Sequence, residues 1–285
     1  MDNICGKLYP IATPIGNLSD FSPRAIETLE QVDFIAAEDT RVTMKLLSRF
    51  EIKKPLISYY EHNRREKGEY IVSRIEQGES CALVTDAGSP AISDPGTELV
   101  DLCIERGIGV VPIPGCCAII TALCASGIEC GRFTFEGFLS TANKSRADHL
   151  EGVAKEKRTM VFYEAPHKLL RTLEDMYKYF GDREIALCRE LTKLHEEIIR
   201  TTLSQAIAKY TETPPKGEFV LVIRGYKGED EAAAEKPDPL QMVKQLMAEG
   251  KSLKDAVKET SKALSYPKNH LYDAALEMIS KEEEE

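Results

Sequence analysis

Short apolar runs alternate with stretches of helical periodicity along most of the chain, up to about residue 225. Runs at 6–12, 34–37, 81–85 and 110–113 are too short for buried helices and read as strands, and most of them lead into a turn containing Gly or Pro. Helices are announced by their caps. Ser22-Pro23 puts a capping hydroxyl and a first-turn proline ahead of Ala25, Leu29 and Val32, which share one helical face. A polar helix over 63–77 is closed by Gly78, and one over 97–106 ends at Gly107. After Gly115 the stretch 116–125 is almost wholly apolar and predicts a buried helix, with Gly127 and Gly131 marking a linker behind it. The alternation then repeats, with strands at 133–138, 159–163, 184–188 and 219–223 and helices at 143–157 and 168–180.

This pattern predicts an α/β protein with parallel or mixed sheets, divided into two α/β domains at 1–128 and 129–225. Residues 226–239, acidic and proline-containing without apolar periodicity, read as a flexible linker. Helical periodicity returns over 240–279, so 240–285 is expected to be a small helical domain ending in an acidic tail.

Composition narrows the class. At 285 residues, 42% hydrophobic and 29% charged, the chain has the make-up of a soluble globular protein. No apolar run approaches the roughly 18 residues of a membrane span, and Met1-Asp2-Asn3 begins no basic-then-apolar leader, so no membrane association and a cytoplasmic location are expected. The eight cysteines form no Cys-x-x-Cys pair and no Cys/His cluster at zinc-finger spacing, which predicts buried thiols and no metal. The net charge of −10 excludes a protein that coats nucleic acid by bulk charge but leaves room for a local basic groove. Neither a GxGxxG nor a GxxxxGK[ST] fingerprint is present.

The densest group of special residues is Asp86-Ala-Gly-Ser-Pro-Ala-Ile-Ser-Asp-Pro-Gly96, between a strand end and a helix. It is far longer than a tight turn needs, and open α/β sheets place ligands at such strand ends. Gly88 would allow backbone to approach a ligand closely, and the prolines would hold the loop's shape. Thr13-Pro-Ile-Gly-Asn-Leu18 and Pro112-Ile-Pro-Gly115 occupy equivalent positions after their own strands.

These loops also carry a family resemblance. Ala12-Thr-Pro-Ile-Gly-Asn-Leu18, Ala37-Glu-Asp-Thr-Arg41, Ser58-Tyr-Tyr-Glu-His-Asn63, the 86–96 loop, Pro112-Ile-Pro-Gly115, Phe135-Glu-Gly-Phe-Leu139, Phe162-Tyr-Glu-Ala-Pro166 and Arg189-Glu-Leu-Thr-Lys193 follow one another in family order. In these motifs the chain resembles the bacterial 16S ribosomal RNA cytidine 2′-O-methyltransferases, which have the tetrapyrrole methylase fold. It departs from them at Cys116-Cys117 and at Thr201.

The resemblance implies a cleft between the two α/β domains holding S-adenosyl-L-methionine. Matched motif by motif, the cofactor-binding residues would be Asp86, Ala87, Gly88 and Ser93, then Gly115 and Cys116, and from the second domain Tyr163, Glu164, Leu191, Thr192, Gly217 and Glu218. Read without the family, Tyr163-Glu164 is better taken as a strand end with a capping carboxylate before Pro166. The implied partners are 16S ribosomal RNA in the small ribosomal subunit and a second copy of the chain, as a homodimer.

A ribose hydroxyl is a poor nucleophile until its proton is taken. Glu38 and Asp39, with Arg41 to hold a phosphate, are the catalytic candidates, although Asp39 is also a natural cap for the helix that follows. Tyr60, His62, Arg64 and Arg65, with Tyr59 and Lys67 beside them, form a candidate RNA surface, and Lys144, Arg146, Lys155 and Arg158 are weaker ones. In the C-terminal domain Lys268 and Asn269 would meet a phosphate backbone if its helices form a helix-turn-helix, the alternative being a packing module or dimer clasp. Two alternative functions remain: C-methylation of a tetrapyrrole, whose enzymes have a different, glycine- and proline-rich first loop that Thr13-Pro-Ile-Gly-Asn-Leu18 does not match, and a non-catalytic ribosome-assembly factor that binds S-adenosylmethionine for structure.

Overall fold

The computed structural model describes residues 6–228, 239–248, 250–264, 271–272 and 274–275. Its first sheet has five parallel strands: β1 (Lys7–Pro10), β2 (Phe34–Ala37), β3 (Leu56–Ser58), β4 (Cys81–Val84) and β5 (Gly109–Val110), in the order β3-β2-β4-β1-β5. Central strands of such a sheet are buried on both faces, which is why β2 and β4 are unbroken apolar runs. Alternate side chains go to opposite layers. Ile35 and Ala37 meet Ala25 and Leu29 of α1 (Pro23–Gln31) and Leu47 of α2 (Thr40–Arg49). Phe34 and Ala36 meet Ile71 and Val72 of α3 (Arg64–Glu76) and Leu99 of α4 (Thr97–Glu105). The predicted cap of α1 is present, with the Ser22 hydroxyl accepting the Ala25 N–H at 3.1 Å.

The second sheet is mixed. β6 (Phe133–Phe138) runs parallel to β7 (Thr159–Glu164), while β10 (Phe219–Ile223) is antiparallel to β7 and to β8 (Glu184–Arg189), and β9 (Glu197–Thr202) is antiparallel to β8. The order is β6-β7-β10-β8-β9. One face carries α6 (Asn143–Val153), α7 (Leu169–Phe180) and α8 (Leu203–Glu212) over a core of Leu150, Phe162, Leu173, Leu203 and Leu221.

The other face is covered by α5 (Ala118–Ser126), the apolar helix that precedes residue 128. Its Ile119, Ala122 and Leu123 pack on Val161, Ala186, Cys188, Val220 and Val222. The second sheet covers one side of this helix, while Ile120, at 49% exposure, and Cys124 are exposed, so the helix is less buried than its apolar sequence predicts. By packing, the second half therefore begins with α5, and residues 6–225 form one compact unit.

The second unit starts at Tyr226. Within it α9 (Pro239–Ala248) and α10 (Leu253–Leu264) pack through Val243, Leu246, Ala256 and Val257, joined by Leu271 and Ala275. The predicted RNA contacts Lys268 and Asn269 lie outside the described residues.

Candidate active site

The three loops singled out in the sequence meet at the carboxyl ends of β1, β4 and β5. Thr13 and Gly88 exchange backbone hydrogen bonds, N–H to carbonyl, at 2.9 and 3.0 Å, and the Thr13 hydroxyl donates to the Thr85 carbonyl at 3.2 Å. Gly115 passes so close to Ala12 that a Cβ there would stand 3.1 Å from the Ala12 methyl. From the second half, the turn after β8 reaches over: a Cβ on Gly16 would lie 2.4 Å from Cγ of Lys193. Left-handed backbone collects on both sides, at Gly88 (φ +86°) and Ala91 (+64°) in one half and at Glu190 (+50°), Thr192 (+66°) and Gly217 (+84°) in the other. Non-glycine residues hold such angles only when their surroundings over-determine them, and such positions cluster at ligand sites.

Between these loops lies a cleft of about 450 Å³. Its floor is apolar, made by Ile119, Cys188, Leu191 and Val220, and two large apolar side chains stand at its rim, Ile92 at 60% and Phe138 at 58% exposure. Tyr163 lies between Phe135 and Phe138, with ring centroids 5.0 and 5.5 Å away. Burial, with the thiol of Cys117 and the carboxylate of Asp94 nearby, pushes its phenol up to about 12.

The acids around the cleft are held differently. Glu164 is 3% exposed; its carboxylate accepts the Ala165 N–H at 2.8 Å and the Thr172 hydroxyl. Thr172 in turn accepts from Arg146 at 2.7 Å, and Arg146 is paired with Asp175 at 2.6 Å. Glu190 and Glu218 share the Lys193 ammonium, at 2.9 and 2.7 Å. The Glu218 N–H and Lys193 hold the Glu190 carboxyl below its usual range. Burial shifts Asp94 the other way, upward, aided by the charge of Glu38 and opposed by a hydrogen bond from Thr85. Asp86 is likewise raised by burial and by Glu38.

Of the sequence-predicted cofactor residues, Ala87, Gly88, Ser93, Tyr163, Glu164, Leu191 and Glu218 line the cleft. Asp86 stands behind it, accepting the Asp39 N–H at 3.2 Å. Gly115 supports the loop junction. The Cys116 thiol turns away to the Asp20 carbonyl at 3.4 Å, and Cys117 faces the cleft in its place. Thr192 is packed beneath Gly16, and Gly217 makes room for the Glu190 side chain. Sequence reasoning did not assign Asp94, Phe138, Glu190 and Lys193, although all four sit inside quoted motifs.

The catalytic candidates take other places. Asp39 caps α2, accepting the Arg41 N–H at 2.8 Å, and its carboxylate also receives the Arg41 guanidinium at 3.0 and 2.6 Å. These bonds hold its carboxyl at about 2, which makes it a weak proton acceptor. Glu38 accepts the Thr85 hydroxyl at 2.6 Å and does not line the cleft. Neither carboxylate lines the cleft: Asp39 is engaged by its own helix cap and by Arg41, and Glu38 by the strand end.

On the candidate RNA surface, Tyr60 is exposed and meets His62 edge to face at 6.2 Å, and Arg65 is exposed. Arg64 is paired with Glu61 and Glu98. Tyr59 is no stacking residue, being 1% exposed in the core between α3 and α4. Nor is Arg146 a surface cation, since it is buried in the network behind Glu164. Arg158 is held by Glu156 at 2.8 Å. Among the described residues no group of His, Cys, Asp and Glu has metal-site geometry, and no helix is long and apolar enough to cross a membrane.

Two sheets joined by a covering helix, with a cleft between their strand ends, define a class: the model of the tetrapyrrole (corrin/porphyrin) methylases matches residues 7–207. Solved structures share the fold at low identity. A cobalt precorrin-4 methyltransferase aligns with a TM-score of 0.57 at 19% identity over 76% of this chain and 94% of its own, and a diphthine synthase with 0.60 at 12% over 76% and 89%. Within the class the relatives are narrower. A ribosomal RNA small subunit methyltransferase I from Synechocystis sp. is 48% identical over 96% of this chain and 98% of its own, and the proteins of that name from Haemophilus influenzae and Bacillus subtilis are 47% and 46% identical over 99% and 94% of this chain, and 100% and 94% of theirs. A model of the RsmI C-terminal HTH domain matches residues 233–279. The chain belongs to the ribosomal RNA small subunit methyltransferase I family.

Proposed function

We propose that the chain transfers a methyl group from S-adenosyl-L-methionine to the 2′-oxygen of a cytidine in 16S ribosomal RNA, acting on the small ribosomal subunit in the cytoplasm. The observation that carries this reading is the cleft itself: closed below by apolar side chains, built on left-handed loops, and rimmed by exposed Ile92 and Phe138 where a second reactant would enter.

The donor set suits the cofactor. A volume of about 450 Å³ is within the range of small-molecule sites. Gly88 leaves a cradle that a side chain would fill, its Cβ falling 3.4 Å from Ile15 and 3.8 Å from the Cys116 carbonyl. At the start of α5 Cys117 gives no side-chain cap; Ala118 and Ile119 line the cleft there, and the Ile119 backbone N–H meets the Tyr163 phenol. Bound there, S-adenosylmethionine supplies an electrophilic methyl group on a sulfonium.

The protein's tasks are then to orient the ribose hydroxyl and to exclude water. The exposed Phe138 ring, backed by Tyr163, offers a base a stacking face, which is how unpaired RNA is commonly read. Exposed Arg65 and Tyr60, Arg41 at the start of α2, and Lys268 with Asn269 in the C-terminal segment would contact phosphate and bases further out. A chain at −10 attracts phosphate weakly overall, so recognition relies on the folded shape of the particle. Pairing two chains would join the basic patches of α3, and we assign the chain a homodimer. The test is transfer of a labelled methyl group to small subunits, free 16S RNA and a tetrapyrrole precursor, with the product mapped by mass spectrometry. Label in the tetrapyrrole and none in the RNA would refute the reading.

A further inference from the structure

The chain as a whole carries 47 acidic against 37 basic residues, yet its segment 40–67 carries eight Lys and Arg against three Glu. Helix α2 is where the imbalance is greatest. Among the α-helices of residues 6–225 that bear charge, it alone contains no acid. Its cations Arg41, Lys45 and Arg49 recur every fourth residue, which puts them on one face, within an arc of about 80° and about 6 Å apart along the axis. All three are exposed, with exposed Val42 and Met44 beside them, while Thr43 and Leu47 are buried on the side that meets the sheet. Arg41 shares its charge with Asp39. Among the described residues Lys45 and Arg49 have no acid within ion-pair distance.

This ridge begins at the cleft. Strand β2 lies next to β4, and Asp39, the cap of α2, donates its N–H to Asp86 of the loop whose Ala87, Gly88 and Ser93 line the cleft wall. On the other side of β2, the Tyr59 N–H bonds the Ala37 carbonyl at 2.8 Å, so the segment carrying exposed Tyr60 leaves the sheet beside the start of α2. From there the helix carries its cations away from the cleft, and Arg49 lies about 12 Å along the axis from Arg41.

We propose, resting on the methyl-transfer reading above, that α2 is a docking ridge for the RNA strand flanking the target nucleotide, with Lys45 and Arg49 on its backbone phosphates. Like charges repeated along a line, with no acid between them, are complementary to a polyanion. A protein would have to present an acidic stripe of matching spacing, whereas RNA carries a charge at every nucleotide. Phosphate contacts set position and register and carry no sequence information. The ridge therefore holds the strand, and the cleft selects the nucleotide. Val42 and Met44 give the sugars an apolar surface between the charges. In a chain at −10 this local field supplies the attraction that the molecule as a whole lacks.

The experiment measures binding of the full chain to small subunits and to protein-free 16S RNA across a salt series, alongside methyl transfer to the subunits. Each phosphate contact contributes about 0.7–0.9 to the slope of log affinity against log salt, so Lys45→Gln/Arg49→Gln should flatten that slope by about 1.4–1.8 and weaken binding about 25–60-fold at 0.1 M salt. KM for the subunit should rise with it, while cofactor Kd by calorimetry stays within about threefold of wild type. The charge-preserving Lys45→Arg/Arg49→Lys should bind as wild type does. Arg132→Gln/Lys178→Gln removes the same net charge from exposed sites before β6 and on α7, and should leave the slope unchanged. A Lys45→Gln/Arg49→Gln chain with the wild-type slope overturns the ridge, and so does an equal loss in Arg132→Gln/Lys178→Gln, which would make the effect one of bulk charge. Weaker binding to subunits with unchanged binding to 16S RNA would make the partner a protein of the particle and overturns it as well. A wild-type chain that shows these salt effects but labels no subunit supports the ridge and overturns the methyl-transfer reading.

Discussion

Gly217 does not line the cleft, yet the structure assigns it a large cost of substitution. Its φ is +84°, and a Cβ would stand 2.5 Å from Cγ, 2.7 Å from Cδ and 2.8 Å from Oε1 of Glu190. Carbon atoms in contact prefer about 3.5–4.0 Å, so in Gly217→Ala the Glu190 side chain has to retreat by about 1 Å. Its Oε1 accepts from the Glu218 N–H and from Lys193, both at 2.9 Å. A retreat of that size takes both bonds beyond hydrogen-bonding range. Bonds to charged groups are worth about 1.5–3 kcal/mol each, reduced here because Lys193 keeps Glu218 and both side chains reach solvent. The left-handed backbone adds about 1–2 kcal/mol. The sum is a destabilisation of about 3 kcal/mol, or a melting shift of roughly 6–12 °C for a unit of this size. Because Lys193 and Glu218 both line the cleft, cofactor affinity should fall by about tenfold or more as well. Urea unfolding of Gly217→Ala and calorimetry with S-adenosylmethionine measure the two effects. Gly152→Ala, in α6 with open space where the Cβ would go, serves as the control and should gain up to about 1 kcal/mol. A Gly217→Ala chain within about 0.5 kcal/mol of wild type, with cofactor affinity unchanged, would refute this account of the cleft wall.

Three further expectations address the rest of the molecule. Arg146→Ala leaves Asp175 only its longer pair to Arg171 at 3.8 Å and removes the donor behind Thr172 and Glu164; breaking such a pair costs about 3–5 kcal/mol when fully buried, and less here because Asp175 is partly exposed and keeps Arg171. Urea titration should show about 2–3 kcal/mol, and no change would mean that the network is not structural. Phe138→Ala removes an exposed ring backed by Tyr163 and should raise KM for the particle while leaving stability and cofactor affinity near wild type; stacking on one base is worth about 1–3 kcal/mol. Light scattering should report twice the 31.8 kDa mass of one chain, and a monomer at micromolar concentration would contradict the homodimer.

How much of this was legible in the sequence follows from burial. Strands β2 and β4 are read almost to the residue because a central parallel strand is a continuous apolar run. The edge strands β3 and β9 escape. Leu56–Ser58 has three residues, and Glu197–Thr202 mixes Glu, Arg and Thr with two isoleucines, because an edge buries little and imposes little pattern. The apolar character of 116–125 was evident, but which side of the helix is covered was not, since the covering surface forms only when the second sheet has folded, and Ile120 and Cys124 stay exposed. The same limit applies to charge. Arg146 looks like any surface arginine until Asp175 and Thr172 are brought to it from α7. The 86–96 loop stood out by its length and its glycines and prolines, and several of its residues line the cleft.

The central claim is methyl transfer to ribosomal RNA from a cofactor held in this cleft. The most direct measurement is to incubate the purified chain with methyl-labelled S-adenosylmethionine and small ribosomal subunits, digest the RNA, and locate the label by mass spectrometry. The account predicts a single labelled cytidine carrying the methyl group on its ribose, with label on assembled particles exceeding that on naked 16S RNA, and none when Gly88→Val closes the cradle beside Ile15. Label on a base, label on no RNA at all, or labelling that survives Gly88→Val would contradict it.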